Sequence, residues 1–440
     1  GVPGGNYTVA DIGHFGASGN NYSVQEKSSS AYLQVDFTVP FLGRDLRGNL
    51  GTRYTKTDIT SNGYTPCAAT PAIAATGTTP AVAAKVAGDN NCAGSEQFYG
   101  VASASATPGA RFYVPVEATN EYDDWLPSLN LAWDLTDDVV LRFAAAKTMA
   151  RPNLNTLSPT ISDVPTTYTT DEALYGINAG NPNVEPYRAD TYDLGAEWYF
   201  DEGAMLSGAV FYKDIKSYIQ RVRQVQTWDQ TGWPVGLLPT GFDGNETFNI
   251  QSYFNTPGGP LKGYELSFQQ PFKFLPGIWQ HFGVQANYTH VESKIDYVQA
   301  SSVNSTTRAV TTTYTKNNLV NMSPSSYNAT FYYDDGKFSA RISAAFRDRY
   351  LTAILIPEAG VYLASAGGAT VYTADVTGKQ ATTNVDFNMS YNLNDQITLT
   401  FAAINLTDQF DDVYGDSTIM ATNKYTHTGR EYTLGARYKF

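Results

Sequence analysis

The sequence predicts an all-β protein and, within that class, a transmembrane antiparallel β-barrel. Three observations carry this. Short segments alternate apolar and polar side chains, they come in pairs joined by tight turns, and long polar stretches link one pair to the next. The last ten residues show the first of these: in EYTLGARYKF, Tyr432, Leu434, Ala436, Tyr438 and Phe440 alternate with Glu431, Thr433, Gly435, Arg437 and Lys439. Successive side chains on a strand point to opposite faces, so this segment has one apolar and one polar face.

Composition narrows what the alternation means. The chain has 440 residues with 31 Tyr, 22 Phe and 37 Gly, but only 16% charged residues, below the roughly 25% of soluble domains. Such usage favours strands and turns over helices. No run approaches the ~18 consecutive apolar residues of a membrane-spanning helix, so a membrane is crossed here by strands or not at all. The net charge of −13 argues against nucleic acid, which attracts a basic stripe. It is compatible with a barrel, which meets lipid through an apolar band and keeps its acids in loops and lumen. The opening GVPGGNYTVA has no initiator Met, basic n-region or apolar h-region, the expectation being a removed leader or a larger parent chain.

Taken in order, the alternating segments pair six times. AYLQVDFTV turns at Gly43 to Asp45 into LRGNLGTRYT; LPSLNLAW turns at Asp134 to Asp138 into VVLRFAAA; TYDLGAEWYF turns at Asp201 to Gly203 into AMLSGAVFY. YELSFQQPF turns through Pro276 and Gly277 into WQHFGVQANYTHV, SYNATFYY at Asp334 to Gly336 into FSARISAAF, and NVDFNMSY at Asn392 to Asp395 into ITLTFAAINL. Six hairpins and the terminal segment make thirteen strands. The stretches 61–108, 150–188, 218–260, 292–322, 349–380 and 407–429 are read as long loops. Short turns at one end and long loops at the other are the layout of an outer-membrane barrel.

The polar face separates a barrel from a soluble sandwich. It holds Gln34, Asp36 and Thr38; Asp193, Gly195 and Glu197; Gln285, Asn287 and Thr289; Ser339, Arg341 and Ser343; Asp386, Asn388 and Ser390. Amides, hydroxyls and scattered charges suit an enclosed wet lumen, whereas bulk water would call for dense Lys and Glu. Trp198, Tyr199, Phe200, Tyr332, Tyr333 and Tyr391 lie beside the short turns and are assigned to an interfacial girdle.

Several groups are candidates for chemistry. Cys67 and Cys92 bound an Ala/Thr/Pro-rich segment; an oxidising surface location favours a disulfide between them, stabilising by roughly 3 kcal/mol. His290 and Glu292 share one strand face and are read as a lumen-lining polar pair rather than a metal site. The sequence contains no G-x-S-x-G, H-E-x-x-H or Walker pattern, so neither catalytic residues nor a cofactor are expected. The most ligand-like segment is 224–254. There Trp228, Asp229, Trp233 and Tyr253 combine stacking faces with polar groups, a mixture suited to sugars or aromatic chelates. Arg151 and Asn153 in ARPNLN are added as structural anchors and ligand contacts.

Longer motifs resemble one family. LPSLNLAWDLTDDVVLRFAAAKTMARPNLNTLSP, GNPNVEPYRADTYDLGAEWYF, LKGYELSFQQPFKFLPG and INLTDQF are similar to elements of TonB-dependent receptors, and among them to a proteobacterial subgroup often tied to carbohydrate uptake. The resemblance implies a barrel of about 22 strands around a plug domain. Residues 1–440 are then the C-terminal part of one barrel, with 1–29 an extracellular loop, 30–440 the strands and their connections, and the remaining strands and plug upstream. It also implies active uptake of a scarce oligosaccharide or metal chelate. The implied partners are outer-membrane lipid, the solute, the energy-coupling TonB complex reached through the upstream part, and a surface lipoprotein. A passive porin is the alternative, with an outer-membrane enzyme or adhesin behind it.

Overall fold

The computed structural model describes residues 22–68, 111–161, 176–231, 233, 235–238, 243–303, 310–354, 375–417 and 420–440. Its strands are β1 (Tyr22–Phe41), β2 (Arg44–Ala68), β3 (Arg111–Asp134), β4 (Val139–Ala150), β5 (Gly176–Asn178), β6 (Tyr187–Asp201) and β7 (Ala204–Thr227). They continue with β8 (Thr247–Pro257), β9 (Pro260–Pro271), β10 (Phe282–Ser293), β11 (Ile295–Val303), β12 (Val310–Asn317), β13 (Ser325–Asp334) and β14 (Phe338–Arg347). The last are β15 (Tyr350–Ile354), β16 (Val376–Lys379), β17 (Thr382–Asn392), β18 (Ile397–Ile404), β19 (Asp411–Gly415), β20 (Ala421–Thr426) and β21 (Glu431–Tyr438).

One antiparallel path orders β1-β2-β3-β4-β6-β7-β9-β10-β13-β14-β17-β18-β21, the thirteen strands expected. No partner strand lies along the outer edges of β1 and β21 among the described residues. Because neighbours are antiparallel, all six tight turns fall on one rim and all long connections on the other. The β1–β2 turn is a two-residue loop with Leu42 at φ 52° and Gly43 at φ 81°, the twist-matched geometry that needs both central residues in the left-handed region. Arg44 and Arg47 of β2 reach Asp137 and Asp134 across this rim, and Lys273 bonds Glu202 at 2.7 Å.

Register shows which residues share a face. Outward rows run Val39–Leu46–Trp133–Leu141–Ala196–Gly208–Leu266–Tyr288–Tyr327–Phe346 and, further along, Phe331–Ile342–Phe387–Ala403–Tyr432. Large apolar side chains of this face stand bare: Leu33 is 70% exposed, Leu194 54% and Leu434 83%. Inward rows such as Asp36–Asn49–Asn130–Ala144–Asp193 are polar. Tyr199 and Tyr332 correct the expected girdle, because they fall on the inward face; Tyr199 donates to Glu197 at 2.8 Å and Tyr332 lies over Gly283.

Among the described residues, parts of the stretches read as loops continue as strand. β2 and β3 stay paired from Leu46–Trp133 up to Ala68–Arg111, and β7 continues to Thr227 beside β8. β1 starts at Tyr22, ahead of the expected boundary at residue 30; residues 1–21 lie outside the described residues. β15, β16, β19 and β20 repeat the order of β14, β17, β18 and β21 above them. Beyond lipid an outward face need not be apolar, so the alternation stops while ladder hydrogen bonding continues. INLTDQF marks one such break: Asn405 adopts φ 58°, its Nδ2 donates to the carbonyls of Gln409 (2.9 Å) and Gly429 (3.0 Å), and its Oδ1 accepts from the Gln409 amide at 2.7 Å. Cys67 is the penultimate residue of β2, but the expected Cys67–Cys92 disulfide falls outside the described residues.

Candidate functional site

Two zones of the inward face are polar and accessible. The lower one is a hollow of about 670 Å³ lined by Asp36, Asn49, Asn130, Asp193, Glu197 and Glu265 with Arg47 and Arg142. Some of its charges are committed: Arg142 grips Glu197 through two nitrogens at 2.8 and 3.0 Å, and Arg47 is held by Asp134. Others are not. Asp193 and Glu265 have no ion-pair partner among the described residues, and Asp36 accepts only from Gln34, at 3.0 Å. The Asn49–Asn130 amide pair, 2.9 Å, crosses the same wall. Further round, Arg341 stands between Tyr332 and Asn388 without a carboxylate partner among the described residues.

Higher on the same face, Arg53 lies 5.9 Å above the Tyr32 ring, which is 74% exposed. Over them Arg151 bonds Glu26 at 3.0 Å and Ser28 at 2.7 Å. Thr57 and Tyr122 sit opposite each other on β2 and β3. Burial, with the Glu26 carboxylate next in weight, pushes the Tyr122 phenol above its ordinary pKa. Tyr218 is pushed up more strongly, by burial and by Tyr297 beside it. Both phenols stay protonated at neutral pH.

A cover closes over this upper zone. Leu157 and Val184 pack on Ile59, Tyr122 and Ile219, with Tyr187 and Tyr253 at the margin. β5 adds a parallel strand to β8, and Asn181 donates to the Tyr253 carbonyl at 2.7 Å. Arg188 fastens the cover's root, pairing with Asp124 at 2.6 Å and with Glu185.

The six residues singled out from sequence do not form one site. Trp228 is fully buried, its ring 5.2 Å from Phe248 and 5.2 Å from Trp233. It is the core of the β7–β8 tip and offers no free stacking face, which corrects the expectation of a ligand contact. Asp229 is exposed and lies against Gly244, while Trp233 is half-buried. Tyr253 pairs with Arg221, six positions below the Thr227–Thr247 end of the hairpin, roughly 20 Å away at strand rise. Arg151 is an anchor tied to Glu26 and Ser28, and Asn153, exposed, begins the short turn Leu154–Leu157 without a side-chain cap. Sequence reading missed Tyr32 and Arg53; their signal was the polar phase of an otherwise apolar alternation. It also misplaced His290, which shares its row with Tyr264, Val210 and Leu194 and so faces outward.

An open antiparallel wall with a bare apolar outside, a polar inside and a covered top defines a membrane β-barrel. The chain belongs to the TonB dependent receptor-like, beta-barrel family, whose profile matches residues 2–406, and so to outer-membrane proteins. No curated protein matches its sequence. Among solved structures it is similar to the ferric-catecholate import receptor Fiu from K12 E. coli in its closed form, with TM-score 0.52, 14% identity, and 95% of this chain and 45% of that one covered. It is also similar to the siderophore receptor PirA from Acinetobacter baumannii, with TM-score 0.50, 17% identity and coverage of 95% and 55%. The chain therefore spans about half the length of these receptors, and at such identity the likeness is one of fold.

Proposed function

We propose that the chain is the solute-binding and conducting wall of a TonB-dependent uptake receptor. It captures a scarce polar solute, an oligosaccharide or a metal chelate, at the extracellular face and passes it along the inward face to the periplasm. Energy comes from the inner-membrane TonB complex, acting on the part of the receptor outside these residues. The observation that supports this reading most is the unclaimed polar lining: Asp36, Asp193, Glu265 and Arg341 on the wall, with Tyr32 and Arg53 above. Aromatic faces with amides and carboxylates suit sugars, and Tyr32 with Arg53 and Arg151 suits an anionic aromatic chelate.

The test is uptake by cells expressing the full-length receptor, with and without TonB, given radiolabelled oligosaccharides and ferric chelates in parallel. Uptake of one class that needs both the receptor and TonB is expected. Uptake that persists without TonB would mean a passive pore and would overturn the proposal.

A further inference from the structure

The outward face carries a concavity that solute transport does not use. It encloses about 490 Å³ and is lined by Leu194, Val210, Tyr212, Lys262, Tyr264 and His290, with Tyr192 and Glu292 at its margin. Register places it at a sharp change of chemistry. The row below, Leu141–Ala196–Gly208–Leu266, is apolar, and Gly208 leaves a notch there. The row through Phe143–Leu194–Val210 is still apolar and ends at Tyr264 and His290. The next, Ala145–Tyr192–Tyr212–Lys262–Glu292, is aromatic and charged, and Lys147–Asp190–Asp214 above it is wholly charged. The floor therefore faces acyl chains and the upper lip faces headgroups.

The lip is built from weakly committed groups. Lys262 lies 3.2 Å from Glu292, both 60% exposed, and an exposed pair of this kind costs little to break. His290 bonds Ser325 at 3.0 Å through Nδ1 and leaves Nε2 3.7 Å from Glu292, with Tyr264 packed on its ring. A phosphate offers Lys262 a dianionic partner with several acceptor oxygens, and the tyrosine faces suit the apolar side of a sugar ring.

We propose that this concavity is a docking site for one outer-leaflet lipid with a phosphorylated sugar headgroup. The phosphate meets Lys262 and His290, the sugar lies on Tyr264 and Tyr212, and an acyl chain runs down over Val210 and Leu194. The site is continuous with the lipid-facing belt, and that continuity selects a lipid over a soluble partner.

Native mass spectrometry of the full-length receptor, extracted in mild detergent from the outer membrane, tests it. Wild type is expected to keep one bound phosphorylated glycolipid. Lys262→Ala should lower occupancy about tenfold, the weight of one charge-assisted contact, and Lys262→Arg should restore it; Tyr264→Ala should lower it about fivefold through the lost ring face under the sugar. Lys27→Ala, a cation on the outer face of β1, should change nothing, and millimolar inorganic phosphate should not displace the lipid. Heat-modifiable gel mobility confirms that each variant is a folded barrel. Equal occupancy in all variants, equal loss with Lys27→Ala, displacement by phosphate, or a bound second protein chain in place of lipid would each overturn the proposal.

Discussion

The membrane belt and the extracellular top of this wall are made from the same strands yet treat apolar side chains in opposite ways. In the belt Leu33, Val35, Leu50, Leu194, Val210 and Leu434 stand bare on the outward face. In the top Trp228, Phe248, Ile59, Leu157, Ile161 and Ile295 are almost wholly buried. β2 shows both within one strand. Its lower part exposes Leu50 outward, whereas from Thr55 upward the inward residues Thr55, Thr57, Ile59, Ser61 and Thr65 are buried under the cover. The surroundings explain the difference: lipid removes the drive to hide apolar surface, and water restores it.

The largest effect is expected at the top. Trp228→Ala should remove the centre of the β7–β8 tip and destabilise it by about 3–5 kcal/mol. The loss should be local, visible as faster amide exchange over 222–231 and 243–252 with the belt unchanged. Belt strands that exchange faster as well would show that the two regions are not separable.

Next comes charge in the belt. Phe401 faces outward between Met389 and Leu434, and Thr400 faces inward between Ser390 and Gly435. Phe401→Arg should cost about 2–4 kcal/mol and Thr400→Arg much less, measured as the fraction of heat-resistant barrel in the full-length receptor. A larger loss from Thr400→Arg would reverse the assignment of faces.

Asn405 joins the two regions at the kink after β18. Asn405→Ala removes four side-chain hydrogen bonds and leaves a residue less suited to φ 58°, an expected loss of about 2 kcal/mol. Increased exchange at the Gln409 amide with β18 and β21 intact is the expected result; an unchanged pattern would mean that neighbouring contacts set the kink.

The smallest effect is at the tight-turn rim. Asp335 accepts from the Phe338 amide at 2.7 Å and the Lys337 amide at 2.9 Å, and these bonds hold its carboxyl below the usual carboxylate range. A depressed pKa contributes stability that is present above the unfolded value and is lost as pH falls through the folded one. Amide protection of Lys337 and Phe338 should therefore drop as pH falls below about 4. Asp335→Ala should lack this protection at neutral pH, and equal protection in variant and wild type would contradict the account.

What the sequence revealed follows the same division. The thirteen belt strands were legible because lipid on one side and water on the other imposes a two-residue period, as in Leu399 and Phe401 against Thr398 and Thr400. The upper halves of β2, β3 and β7 were not, since outward residues such as Lys56, Asp58 and Glu121 face water and the period disappears while pairing continues. Trp228 was misread because a Trp beside Asp and Gln has the composition of a binding loop whether its ring is free or buried. His290 was misread despite an available signal: it keeps the parity of Val284 and Ala286, the apolar face of β10.

One face of this wall meets lipid and the other an aqueous path. Spin labels placed singly at positions 398 to 401 of β18, in a full-length receptor with Cys67 and Cys92 replaced by Ser, test it most directly. Oxygen accessibility is expected to be high at 399 and 401 and low at 398 and 400, with a water-soluble nickel reagent showing the reverse. Uniform accessibility along the strand, or the opposite phase, would contradict it.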